Sequence, residues 1–320
     1  MGLMAELAGP VIDSFLIGSF YALMGAGLTL VFSVTKVPDF AHAELVTIGG
    51  YVAAIATVAA GLGIVPAILL AVLIAGVVGV AYDEAVFKPL WKRGSSSLHL
   101  LVASVGLGLF VRYVVMAIVE PFGWLSVRAS VAPRVLAYVG NGSITDLHVT
   151  VITTTIVIVV ILHLMFTRTK LGKAMRATAS NPDLARISGI NIYTVRRIAW
   201  FLGAALPGLA GAFWSINSSI DVELGWRFLL WMFAASIVGG FSFYGTILGG
   251  YIIGLAEGIG IFFLNTYFGV NIAYRPVISL AIMIAVLLFA PQGLRELSLE
   301  RLRGVLRPAG RGASSQVGGG

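Results

Sequence analysis

The chain has 320 residues, of which 58% are hydrophobic and only 11% charged, and its net charge is +7. A soluble domain carries roughly 25% charged residues, so an ordinary water-soluble fold is excluded. The absence of cysteine excludes disulfides, thiol chemistry and Cys-ligated metals as well.

In chain order the apolar residues fall into nine runs: 11–34, 41–60, 64–87, 98–119, 149–166, 198–216, 228–241, 246–264 and 276–290. Most approach the ~20 residues that cross a bilayer as a helix. They are continuous rather than alternating, which argues against a β-barrel with strands of about ten residues. The chain therefore reads as an all-α polytopic membrane protein with about nine transmembrane helices, eight to ten allowing for boundaries. The opening MGLMAELAGP has no basic n-region and no cleavage site, so the first span is expected to insert uncleaved. The seventh run, 228–241, is short enough to be a broken or re-entrant helix. Residues 1–307 are expected to form one transmembrane domain, and the Gly/Ser-rich tail 308–320 to be disordered.

The connecting segments set the orientation. Segment 88–97 carries Lys88, Lys92 and Arg93 with no acid. Segment 167–197 carries Arg168, Lys170, Lys173, Arg176, Arg186, Arg196 and Arg197 against Asp183 alone. The tail beyond 291 is also rich in arginine, with Arg295, Arg301, Arg303, Arg307 and Arg311. By contrast, segment 120–148 balances Arg128 and Arg134 with Glu120 and Asp146, and the first 35 residues hold no Lys or Arg. Basic loops stay in the cytoplasm, which places the N-terminus outside and the C-terminus in the cytoplasm. The positive charge thus marks topology rather than nucleic-acid binding.

Four groups of residues are candidates for function. Within the basic loop, Asn181 to Gly189 reads as a short helix with an Asn N-cap, Pro182 at its first position and Gly189 as its stop. Such a helix suits docking into a groove on a soluble partner, with Asp183, Ala185, Arg186 and Gly189 as its core and Lys173 and Arg176 as charged contacts. The charges alone favour a topological role, and the capped helix and its length tip the reading toward docking. Asp39, His42 and Glu44 lie between two apolar runs, either solvated at the inner interface or facing a cavity or a partner. No third ligand joins His42 and Glu44, so no metal site is expected. Glu257 is the carboxylate most deeply placed in any run, and an ionisable group at membrane depth marks a functional or bundle-locking position. Its expected partner, if structural, is Arg112. Glu257 and Asn217 are the candidates for a translocation path. Gly250, Gly254 and Gly258 form a small-residue face suited to helix packing, and Gly239–Gly240 a helix break. The sequence has no GxxxxGK[ST], GxSxG or HExxH, so no catalytic residues and no bound cofactor are expected.

The order of several motifs carries a resemblance. The stretch 169–211, with Asp183-Leu184-Ala185-x-x-x-Gly189, is similar to the cytoplasmic "EAA" loop of ABC-importer permeases of the branched-chain amino acid (LivH) type, with Asp for Glu and Leu for the first Ala. Pro38-Asp-Phe-Ala-His-Ala-Glu44 resembles that family's "NFAHGE" segment, and Tyr274-Arg-Pro276 and Pro291-Gln-Gly-Leu294 its closing segments. The resemblance implies a non-enzymatic permease subunit of the cell membrane, with a structural or gating role for segment 38–44, including His42 and Glu44. It would import branched-chain or other hydrophobic amino acids by alternating access. The implied partners are cytoplasmic ATP-binding subunits that hold the ATP, a second permease subunit and an extracytoplasmic binding protein. Urea or amides are alternative cargoes. A self-sufficient proton-coupled carrier, with Glu257 or His42 as relay, is the alternative from another class.

Overall fold

The computed structural model describes residues 3–290 and 293. The basic tail and the expected disordered segment 308–320 lie outside the described residues. Helix α1 (Leu3–Thr35) enters, and after a non-helical stretch and a short turn over Ala41–Ala43 the chain forms α2 (Glu44–Val58). Helix α3 (Ile64–Tyr82) runs through a π-helical turn, Asp83–Phe87, into the short α4 (Lys88–Lys92). Helix α5 (Ser97–Val119) leads to strands β1 (Ser126–Val127), β2 (Val135–Val139) and β3 (Gly142–Thr145). Helices α6 (Asp146–Arg168), α7 (Lys170–Ser180), α8 (Pro182–Ile187) and α9 (Ile192–Asn217) follow. Strand β4 (Ile220–Asp221), α10 (Leu224–Val238), α11 (Phe243–Phe268) and α12 (Arg275–Phe289) complete the chain.

Among the described residues eight helices are long and apolar enough to cross a membrane, and α10 is the shorter ninth. Its 15 residues reach roughly 22 Å at 1.5 Å per residue, less than the ~30 Å of hydrocarbon. Yet α10 joins the two ends of the bundle. It starts after β4, which pairs antiparallel with β1, and it ends in a turn whose Phe241 and Ser242 share a cavity wall with Phe166 and Arg176. The break between α10 and α11 follows from Gly240 (φ +62°) and Phe241 (φ +47°), left-handed conformations that a helix does not tolerate.

One end of the bundle is stitched by backbone. Asn141 N–H donates to the Ala5 carbonyl and Ala129 N–H to the Ser215 carbonyl, while the Arg128 guanidinium grips the Ile216 carbonyl at 2.9 and 3.2 Å. These bonds fasten segment 120–145 over the ends of α1 and α9. The opposite end gathers α4, α7 and α8 with their lysines and arginines.

Helices α1 and α9 form the centre. The apolar window of α1 is 83% buried inside the protein and that of α12 only 6%. Because α12 and α6 are apolar on every side, the faces of α12 and α6 left open by the fold suit hydrocarbon. The centre is held by small residues. A Cβ on Gly49 would lie 2.1 Å from the Gly208 carbonyl oxygen, and one on Gly211 2.0 Å from the Val46 carbonyl oxygen. Helices α2 and α9 therefore touch backbone to backbone.

Candidate functional site

The basic end carries the loop singled out in the sequence. Thr169 caps α7 by accepting from Gly172 N–H at 3.0 Å, and Arg176 Nη1 donates to the Phe166 carbonyl, folding α7 back against the end of α6. Asn181 Oδ1 accepts from Leu184 N–H at 2.9 Å, and Pro182 occupies the first turn of α8. Gly189 ends the helix at φ +81°, where Ile190 N–H donates back to the Ala185 carbonyl. Lys173, Arg176, Asp183, Arg186 and Gly189 are exposed. Ala185 is not: it is 3% exposed and faces the protein.

The exposed surface of α8 includes two apolar residues the charge pattern had obscured. Leu184 is 60% exposed and Ile187 84%. They stand three apart on a helix, so they form one apolar knob, with Asp183 and Arg186 beside them on α8. The signal was present in the sequence as an apolar i, i+3 pair flanking the buried Ala185.

The 38–44 segment sits deep. Ser104, Gly108 and Arg112 climb one face of α5. Ser104 Oγ accepts from Phe40 N–H at 3.1 Å, a Cβ on Gly108 would lie 3.4 Å from Ala41 Cα, and Arg112 reaches Glu44. Arg112 is fifteen residues into α5 from Ser97, roughly 22 Å along its axis. Asp39, His42 and Glu44 are consequently buried at membrane depth, not solvated at an interface. The non-helical stretch from Lys36 to Phe40 delivers α2 to that depth. Glu44 Oε1 accepts from Arg112 Nη2 at 2.7 Å and Oε2 from Thr47 at 3.3 Å. Thr47 in turn accepts from Gly225 N–H at 2.8 Å, and the Arg112 guanidinium lies 5.1 Å from the Trp226 ring. One carboxylate thus ties α2, α5 and α10 together.

Arg112 is therefore not the partner of Glu257. Glu257, fully buried on α11, accepts from Tyr21 Oη on α1 at 2.8 Å and from the Trp231 indole N–H on α10. The Tyr21 and Trp231 rings stack at 5.5 Å and 13°, with Phe228 and Trp214 edge-on beyond them. Asn217 closes α9 one turn past Trp214 and shares no recorded contact with Glu257. Around the carboxylate the α1–α11 seam is narrow: a Cβ on Gly250 would meet Ala22 N at 2.5 Å, one on Gly254 the Gly18 Cα at 2.6 Å, and one on Gly258 the Ser14 hydroxyl. Ser14, Gly18 and Ala22 repeat every fourth residue, matching Gly258, Gly254 and Gly250.

A prediction arises from this lock. Replacing Glu257 by Leu strands the Tyr21 hydroxyl and the Trp231 N–H in an apolar wall and should destabilise the purified protein by about 1–3 kcal/mol for each stranded group. Glu257→Gln should cost less, because its oxygen still accepts from the indole and the Tyr21 hydroxyl can turn to accept from the amide. Thermal unfolding in detergent ranks the two. Equal midpoints for both variants would show that the hydrogen bonds contribute nothing.

The family described as "Branched-chain amino acid transport system / permease component" matches residues 11–287. The chain is 35% identical over 306 residues to a probable branched-chain amino acid transport permease protein LivH of Methanocaldococcus jannaschii, covering 94% of this chain and 95% of the relative. It is 28% identical to the high-affinity permease protein BraD of Pseudomonas aeruginosa, covering 89% and 94%, and 28% identical to LivH of Escherichia coli K12, covering 87% and 92%. A solved complex of PsaBC from Streptococcus pneumoniae with a Fab has a TM-score of 0.45 at 14% identity, covering 92% of this chain and 95% of that one, a likeness too remote to bear on the fold. Matched over nearly its whole described length, this multi-pass protein of the cell membrane belongs to the family of branched-chain amino acid transport permeases.

Proposed function

We propose that this chain forms part of the path by which an ABC importer moves branched-chain or other hydrophobic amino acids into the cell, powered by ATP that a separate subunit binds and hydrolyses. The basic end faces the cytoplasm, in keeping with its lysines and arginines, and the stitched end with β1–β4 faces a substrate-binding protein. A second permease subunit completes the pathway. The observation that carries this reading is α8: a capped, six-residue helix with Leu184 and Ile187 exposed in the middle of a basic surface. An apolar knob with a charged rim has the composition of an interface core. Asp183, Arg186, Lys173 and Arg176 supply the rim, Ala185 the seat and Gly189 the stop.

Glu257 acts in this reading as the lock between α1, α10 and α11 rather than as a substrate ligand, since both its oxygens are already engaged. Gly250 and Gly254 keep that seam close, and Glu44 ties α2 to α5. His42 lies against α9 in the gating segment.

The test is an interface variant. Ile187→Asp places a charge in the knob, and a buried hot-spot residue of this kind supports on the order of 2 kcal/mol or more of binding. The variant is expected to lose co-purification with the cognate ATPase by more than about tenfold and to lose ATP-driven leucine uptake in proteoliposomes, while its own unfolding midpoint is unchanged. Normal co-purification refutes the docking role of α8. Uptake by this chain alone under a proton gradient, indifferent to ATP, refutes the importer reading and restores the secondary carrier.

A further inference from the structure

A set of buried polar groups between α1, α2, α3 and α9 belongs to neither the docking face nor the Glu257 lock. Asp39 and His42 are completely buried, as is Trp200 on α9; Tyr82 at the end of α3 is 4% exposed. The His42 and Trp200 ring centres are 6.5 Å apart, and the nearest Asp39 oxygen and His42 nitrogen 3.4 Å. Tyr82 and Trp200 sit in one apolar cluster with Val31, Val37, Ala41 and Phe87. Among the described residues, and apart from the Asp39–His42 contact, neither oxygen of Asp39, neither nitrogen of His42, nor the Tyr82 hydroxyl, nor the Trp200 indole N–H finds a hydrogen-bond partner.

Each buried polar atom left unpaired costs about 1–3 kcal/mol. Several in one place exceed what a fold of marginal stability tolerates. Two buried arginines are committed elsewhere, Arg112 to Glu44 and Arg196 to Asp83. The backbone beside them is non-helical from the exposed Lys36 inward to the buried Asp39, and irregular backbone inside a membrane protein persists only where it is buried in protein or borders water.

We infer that Asp39, His42, Tyr82 and Trp200 line a site for a small cluster of ordered water molecules inside the bundle. The chemistry selects water over a metal cation. Asp39 offers only acceptors when ionised, the Trp200 indole is a donor only, and His42 and Tyr82 present both capacities. A cation would satisfy the carboxylate and leave the indole N–H facing a positive charge. Water donates to Asp39 and accepts from Trp200 at once, and a buried water typically makes about three hydrogen bonds. The cluster would lie beside the break between α1 and α2 and give the buried polar groups of Asp39 and His42 partners that lipid does not offer.

Radiolytic footprinting of the full-length chain in nanodiscs tests this, because a water held in place yields hydroxyl radicals beside its own ligands during an X-ray pulse. Tyr21 is the matched control: it is 3% exposed against 4% for Tyr82, but bonded to Glu257. Tyr82 and Trp200 are expected to be oxidised several-fold faster than Tyr21, with Phe20 as a second buried reference. Trp200→Phe, which removes the N–H and keeps an aromatic ring, should slow labelling of Tyr82 and leave Tyr21 unchanged. Equal rates for Tyr82 and Tyr21 in the unmodified chain overturn the inference. So does an unfolding midpoint that rises when sodium or potassium replaces N-methylglucamine at fixed ionic strength, since that assigns the site to a cation.

Discussion

Arg196→Met is expected to be among the most damaging single substitutions in the chain. The Arg196 guanidinium holds the Asp83 carboxylate through Nε at 2.7 and 2.8 Å and through Nη2 at 2.5 Å, with side-chain exposures of 7% and 0%. Removing one member of a buried pair leaves the other charge uncompensated and costs about 3–5 kcal/mol. The loss should be worse for Arg196→Met than for Asp83→Leu. The stranded carboxylate has no other donor, whereas the guanidinium keeps the Trp91 ring at 5.4 Å. The double variant Asp83→Leu with Arg196→Met should recover most of the loss, because apolar replacement of a whole buried pair is neutral or stabilising in many cases. Arg197, whose partner Glu84 is at the surface, is the contrast: Arg197→Ala should move the midpoint little. A double-mutant cycle on unfolding midpoints measures the coupling, and additive single effects would refute it.

The geometry explains why the pair sits where it does. The π-helical turn Asp83–Phe87 widens α3 by one residue. It presents Asp83 and Phe87 together to α9, where Arg196 and Trp200 lie one turn apart. Phe87 stacks on Trp200 at 5.2 Å and 16° while Asp83 takes Arg196. Ion pair and ring stack thus fasten the first turns of α9 to the end of α3.

Gly211→Ala is expected to be equally severe, although it adds a single methyl. That methyl would lie 2.0 Å from the Val46 carbonyl oxygen and 2.9 Å from Gly50 N, both backbone atoms that cannot rotate away. Helices α2 and α9 must part, and overpacking of this kind costs about 1–3 kcal/mol before the loss of neighbouring contacts is counted. Gly49→Ala should behave alike, since its methyl would meet Gly208 backbone at 2.1 Å. Gly106→Ala on α5 is the control: nothing lies within 4 Å of its added methyl, and no loss of stability is expected. Yield of monodisperse protein and unfolding midpoints compare the three. A tolerated Gly211→Ala would refute backbone contact between α2 and α9.

Much of this was legible in the sequence. Continuous apolar runs mark the membrane helices because hydrocarbon imposes one length on all of them. Asn181, Pro182 and Gly189 mark α8 because capping is local chemistry. Pairings between distant residues were not legible. Glu44 finds Arg112 sixty-eight residues away, and Glu257 finds Tyr21 two hundred and thirty-six away. Nothing in the local pattern of either carboxylate specifies its partner, so Arg112 was matched to the wrong one. The depth of Asp39, His42 and Glu44 was hidden because a polar segment between two apolar runs normally marks the surface. The β2–β3 hairpin, with Gly140-Asn141 as its two-residue turn, carried a recognisable signal inside a segment notable otherwise only for its balanced charge.

The connection between α8 and α9 has a mechanical consequence. Only residues 188–191 separate them, and Ile190 N–H ties that link back to Ala185. On the other side, a load on Ile187 must cross the whole of α7 before it reaches α6. Helix α9 in turn lies against α1, α2 and α3 at the axis of the bundle. Under the docking role proposed for α8, a partner seated on the exposed knob is therefore joined to that axis by a four-residue link, and through α7 to α1 and α9 as well.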